Sequence, residues 1–181
     1  MKSVLLSIYP VWCEKIAGGK KTIEVRKTRP KISVPFKCYI YCTKDKRDSD
    51  RLWILDKQNR AKYFGLTAVC FTCEETPEHC YEGNGKVIGE FVCDYILEDT
   101  KGEYAREFEK ESGLSIDEQK AYSPNGKLYG WHISDLKIYD EPKELGEFRH
   151  CGVNYHFNPA VTKPPQSWCY VEELQLTTMR L

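Results

Sequence analysis

A continuous apolar run over residues 3–8, Ser-Val-Leu-Leu-Ser-Ile, predicts a first strand buried on both faces. Pro10 stands where a first-turn proline is tolerated, and Trp12 and Ile16 fall four apart on one helical face, so a short helix follows. Gly18 and Gly19 suit a helix C-terminus that turns into something else. From Thr22 the period becomes two: Ile23 and Val25 face one way, and Thr22, Glu24 and Arg26 the other. Arg29-Pro30 ends this strand. Residues 34–42 are rich in aromatic and β-branched side chains and predict a central strand with Cys38, Ile40 and Cys42 on one face.

Residues 44–60 are densely charged with mixed sign, the pattern of a solvated loop, and they open an insertion expected to span 44–84. Within it, residues 64–73 read as a strand and 74–85 as a turn-rich return. Residues 86–97 form the clearest later strand, and Gly89 marks a bend or bulge in it. Tyr104 and Phe108, four apart, predict an amphipathic helix over 103–111, and Ser115-Ile116-Asp117-Glu118 has the form of a capping box opening another. Residues 128–139 are again extended, with a register change near Ser134-Asp135. A helical turn around Leu145, a long loop over 149–165 and a last strand over 168–176 complete the chain. Strands and short helices without a regular βαβ rhythm point to a mixed α+β fold around a small barrel.

The chain has 181 residues, 41% hydrophobic and 13% aromatic, which is enough for one good core and short for two domains, so a single domain over 1–181 is expected. The apolar N-terminal run is broken by Pro10 and followed by Glu14-Lys15, which argues against a signal peptide. No stretch reaches the roughly 18 apolar residues of a membrane span. Nine cysteines without an export signal predict reduced thiols and a cytoplasmic location. The zero net charge conceals an asymmetry: residues 1–62 hold 16 Lys and Arg against 6 Asp and Glu, and residues 63–181 hold 11 against 21. A basic face for a polyanion or an acidic protein partner is one consequence; interleaving in space is the other.

The run Gly19-Lys20-Lys21-Thr22-Ile23-Glu24-Val25-Arg26 resembles the signature of the ASCH domain, a branch of the PUA-like superfamily. Residues 85–91, 129–134 and 164–168 are similar to later blocks of phage and bacterial ASCH proteins, so the resemblance covers most of the chain outside 44–84. It implies a PUA-like mixed β-barrel with short flanking helices, and RNA or a modified nucleoside as ligand. It also implies alternatives. One ASCH-like enzyme, an acetylcytidine amidohydrolase, uses the signature lysine as proton acceptor and a threonine three residues later as nucleophile; Lys21 matches the first, and Glu24 occupies the place of the second. Other members are ribonucleases.

Candidate chemistry centres on Lys21 and Glu24 as catalytic residues, with Lys20, Thr22 and Arg26 beside them as ligand contacts. A base or nucleophile lysine needs its pKa lowered by burial or by neighbouring cations, and Glu24 opposes that shift. On residue chemistry alone the same cluster reads first as a solvated surface of exposed pairs contributing about 0–1 kcal/mol each. Trp131 and Trp168 offer aromatic faces for unstacked bases, His132 an acid or base, and Gln166 with Ser167 a polar step able to read a base edge. Cys70, Cys73, His79 and Cys80 supply four candidate ligands within eleven residues, a spacing that fits tetrahedral zinc or an apolar strand with free thiols.

Overall fold

The computed structural model describes residues 1–44, 51–55, 69–70, 80–152 and 158–174. Its frame is a five-stranded sheet in the order β10-β7-β3-β1-β11, built from β1 (Lys2–Ile8), β3 (Phe36–Cys42), β7 (Val87–Cys93), β10 (Ser134–Lys143) and β11 (Trp168–Glu172). A second sheet has the order β2-β9-β8, from β2 (Ile23–Arg26), β8 (Ile96–Asp99) and β9 (Leu128–His132). A third lies inside the expected insertion, β5-β4-β6, from β4 (Trp53–Leu55), β5 (Val69–Cys70) and β6 (Cys80–Glu82). Among the described residues three α-helices accompany them, α1 (Pro10–Ala17), α2 (Ala105–Ser112) and α3 (Ile116–Tyr122), with a 3-10 turn at Leu145–Glu147. The architecture is mixed α+β and dominated by sheet; the sheets are open, and their pairing among the described residues closes no barrel. No described helix is long and apolar enough to cross a membrane.

The period-two readings sort the side chains as expected. Cys38, Ile40 and Cys42 join Val4, Leu6 and Ile8 in one core on one face of the large sheet, while Tyr39 and Tyr41 join Leu5, Phe148 and Val161 on the other. Both faces are covered, which is why β1 and β3 read as nearly continuous apolar runs. Gly89 sits where β7 shifts register against β3 and β10, and a Cβ there would stand 2.5 Å from the Lys137 carbonyl oxygen. The capping box at Ser115 forms, the hydroxyl accepting from the Glu118 N–H. In α2 Phe108 is the one buried apolar side chain, Ser112 being buried too; Tyr104 is the N-cap and is exposed, so the expected apolar stripe is one residue wide.

The long strand predicted over 86–97 divides at Asp94-Tyr95. Its first part pairs in the large sheet and its second in the smaller one, and β9 and β10 make the reverse crossing at Ile133, next to the positive φ of Asp135. The two strands therefore turn the same corner side by side. His132 Nδ1 lies 2.6 Å from Asp94 Oδ1, and its ring stacks on Tyr95 at 4.4 Å, which clasps the corner.

Candidate functional site

The second sheet is covered on both sides. Its apolar face, Ile23 and Val25, packs under Phe108 of α2. In the β2–β9 register Glu24 lies opposite Trp131 and Arg26 opposite Tyr129, so the charged face of β2 shares its side with two residues of the main core and points inward. The solvated-surface reading fails here. Lys21, Glu24 and Arg26 are 3%, 6% and 7% exposed.

They form one ion cluster. Glu24 Oε2 meets Lys21 Nζ at 3.3 Å, and Glu24 Oε1 meets Arg26 Nη2 at 2.9 Å. Lys21 also donates to the Ser112 carbonyl at 3.2 Å, at the end of α2 where cations are favoured, and its ammonium stands 5.1 Å from the Trp12 ring centre. Arg26 donates to the Ser7 carbonyl at 2.8 Å, at the end of β1, and to Ser167 Oγ at 3.4 Å. Ser7 Oγ in turn donates to the Pro165 carbonyl at 2.6 Å. One carboxylate thus ties α2, β1 and the segment before β11 to β2. Burial holds the Lys21 amine below the ordinary lysine value of 10.5, against the opposing pull of Glu24. Burial likewise pushes the Tyr122 phenol up, with Arg26 opposing.

The cluster walls a cavity of about 730 Å³, inside the range of roughly 300–1,000 Å³ typical of small-molecule sites. Topology makes the cavity. β1 and β3 are a parallel pair in register, Ser7 beside Tyr41 and Ile8 beside Cys42, so their C-terminal ends lie together. The chain leaves β1 through Tyr9 into α1 and leaves β3 through Thr43 and Lys44, and a crevice opens where the two diverge. Tyr9, Trp12, Tyr41 and Tyr122 supply aromatic surface, and residues 162–167 close the far wall.

Of the sequence-predicted contacts, Lys21, Glu24, Arg26, Gln166 and Ser167 line this cavity. The others do not. Lys20 and Thr22 are exposed outside its wall, the Thr22 backbone pairing with Glu111 and Ile133. Trp131 is 0% exposed and meets Phe36 edge-on at 5.8 Å, which makes it a core residue and no stacking platform. Trp168 is half-buried and donates from Nε1 to Thr28 Oγ1 at 3.0 Å. His132 belongs to the corner clasp. Of the zinc set, Cys73 and His79 lie outside the described residues. The register pairs Cys70 with Trp53 and Cys80 with Leu55, on opposite sides of β4 and two residues apart. Strand spacings then separate their Cα atoms by about 12 Å, wide for two thiolates on one ion with Zn–S bonds of about 2.3 Å. Among the described residues no three His, Cys, Asp or Glu converge on a metal position.

Sequence reasoning missed Ser7, Tyr9, Tyr41, Thr43, Lys44 and Tyr122 as wall residues. A signal for the first five existed: an apolar strand running into a helix, then a second apolar strand, is the pattern of a parallel pair whose carboxyl ends meet. Tyr122, at the end of a separate helix, carries no local signal.

No family model and no curated protein matches this chain. Solved structures do. The ASCH protein of Zymomonas mobilis superposes with a TM-score of 0.57 at 18% identity, over 94% of this chain and 88% of the other. A tyrosine-to-phenylalanine variant of that protein gives 0.58 at 17%, covering 96% and 92%. A serine-to-alanine variant gives 0.57 at 17%, over 94% and 89%. The chain has an ASCH-like fold. That likeness is one of architecture, and the chemistry has to be argued from the cavity.

Proposed function

We propose that this chain binds RNA or a modified nucleoside, taking one nucleoside unit into the cavity beside the Lys21–Glu24–Arg26 cluster. The observation that carries this reading is a cavity of about 730 Å³ that combines buried, hydrogen-bonded cations with the aromatic side chains of Tyr9, Trp12, Tyr41 and Tyr122. Cations hold phosphate or base oxygens, and aromatic faces stack on an unpaired base. Gln166 at the wall has an amide donor and acceptor free to meet a base edge. The ASCH-like architecture is the second support, and a barrel of the PUA-like kind is the frame this reading assumes. Cys13, Cys38, Cys42, Cys93, Cys151 and Cys169 are free thiols, which suits a reducing compartment such as the cytoplasm.

Hydrolysis of an acylated nucleoside is the second reading, favoured by a cavity lysine whose amine is lowered by burial. Thr22 is exposed and outside the cavity, so it supplies no nucleophile there. Binding therefore stands first.

The test is retention and turnover together: purified protein with short labelled RNAs and acetylated nucleosides, beside Tyr9→Ala. Tyr9 is 63% exposed and makes no side-chain capping bond, so its truncation leaves the melting temperature in place. Loss of one stacking face weakens retention about 5- to 150-fold, from the roughly 1–3 kcal/mol of a base–aromatic contact. Turnover of the acetylated substrate moves the conclusion to the enzyme, and neither retention nor turnover overturns both readings.

A further inference from the structure

The charges in the cavity do not balance. Lys21 and Arg26 share the single carboxylate of Glu24, so the buried cluster carries 2 − 1 = +1, and with Lys44 on the same wall the described lining carries 3 − 1 = +2. The carbonyls of Ser112 and Ser7 satisfy hydrogen bonds without cancelling charge. An unbalanced charge removed from water is costly, and it is relieved by an opposite charge brought to it. Arg26 Nε and Thr43 Oγ1, on two residues of the lining, have no hydrogen-bond partner and are shielded from solvent, while Arg26 uses both terminal nitrogens. Lys44 is exposed and has no ion partner among the described residues.

The Lys44 stem lies over Gly85, which has φ +81° and donates to the Cys42 carbonyl at 2.8 Å. A Cβ there would overlap the stem, its first obstacle being Lys44 Cε, so the stem passes across a backbone that glycine leaves clear. Lys44 is thus an exposed cation within the cavity lining.

From this we infer that the ligand enters as a phosphate ester: the cavity takes a nucleotide in preference to the free nucleoside, with Lys44 as the outer phosphate contact and Arg26 as the inner one. The inference rests on the nucleoside reading above and narrows it to phosphorylated forms. The same phosphate chemistry comes from a terminal monoester or from an internal diester of RNA, and the probes separate the two.

The experiment is calorimetric titration of the intact protein with the four ribonucleosides, their 3′- and 5′-monophosphates, the dinucleoside monophosphates and inorganic phosphate alone. At least one phosphorylated probe is expected to bind about tenfold or more tightly than its nucleoside, as a charge-assisted contact gives. Lys44→Ala removes most of that advantage, and Lys44→Glu reverses it. Preference for dinucleotides assigns the seat to an internal diester; preference for monophosphates assigns it to a chain end. Equal binding of nucleosides and nucleotides overturns the inference and leaves the nucleoside reading standing. Inorganic phosphate as tight as every nucleotide overturns it too, since the cavity would then read charge alone. Binding of no probe overturns both.

Discussion

Replacing Glu24 by Gln keeps shape and volume and removes the one negative charge between two buried cations. At an effective dielectric of about 20, the separations of 3.3 and 2.9 Å correspond to gross attractions of about 5 and about 6 kcal/mol. Desolvation offsets much of this, and the net cost of taking one partner from a buried cluster is about 3–5 kcal/mol. For a domain of this size each kcal/mol moves the melting temperature about 2–4 °C, so the variant should melt about 6–20 °C lower. The assay is thermal denaturation followed by circular dichroism, with urea titration to obtain the midpoint and slope. Lys44→Ala is the reference for an exposed charge and should stay within about 0.5 kcal/mol of the parent. A Glu24→Gln shift under about 2 °C would refute the reasoning, because it would mean that water already screens the three charges.

The Lys21 amine gives a pH test. Its value in the folded chain lies below 10.5, so in the interval between the two values the unfolded chain binds more protons, and stability rises with pH there. The parent should therefore gain stability relative to Lys21→Met as pH climbs through the alkaline range, and a flat difference in denaturation midpoints contradicts the shift. Thiol labelling of the folded protein at pH 8, read by peptide mass spectrometry, should spare buried Cys13, Cys38, Cys42 and Cys93, the last pushed up to about 12 by burial. Rapid modification of any of these four would show that the core opens. Gly89→Ala should cost about 1–3 kcal/mol or more, because its Cβ meets a backbone carbonyl that cannot rotate away, and a urea midpoint equal to that of the parent would show that β7 and β10 can part.

How much of this was legible depends on which interaction wrote the signal. β3 was readable to the face, since side-chain alternation is set by backbone geometry and the two tyrosines and two cysteines fell as the period requires. The capping box and the break near Ser134 were readable because they are local. The corner at Asp94-Tyr95 was not: apolar residues continue through it, and the switch of sheet is made by pairing with β9 and by the His132–Asp94 clasp, thirty-eight positions apart in sequence. The alternation of β2 was right and its environment was wrong. Period two says which side chains share a side, and only the placement of the second sheet between α2 and the core decides that the charged side faces in.

That placement also explains why the cavity's chemistry and the fold's stability are hard to separate. Arg26 joins the end of β1 to the small sheet through the Ser7 carbonyl, and through Ser167 it reaches the segment that leads into β11. β11 is the antiparallel edge partner of β1, with Leu6 opposite Trp168 and the Ser7 N–H donating to the Ser167 carbonyl at 3.0 Å, so both Arg26 contacts fall at the same end of that strand pair. A group that merely coated the surface would have no reason to make these contacts, and a group kept only for the core would be more cheaply replaced by an apolar side chain. Arg26 does neither: it is buried, it is shared among three elements, and it lines an open volume. An anion entering that volume would add to the same network that holds β1, β2 and β11 together, and anything that binds the folded state alone stabilises it by RT ln(1 + [L]/Kd). Occupancy of the cavity and resistance to unfolding should therefore rise together, since the same guanidinium serves both.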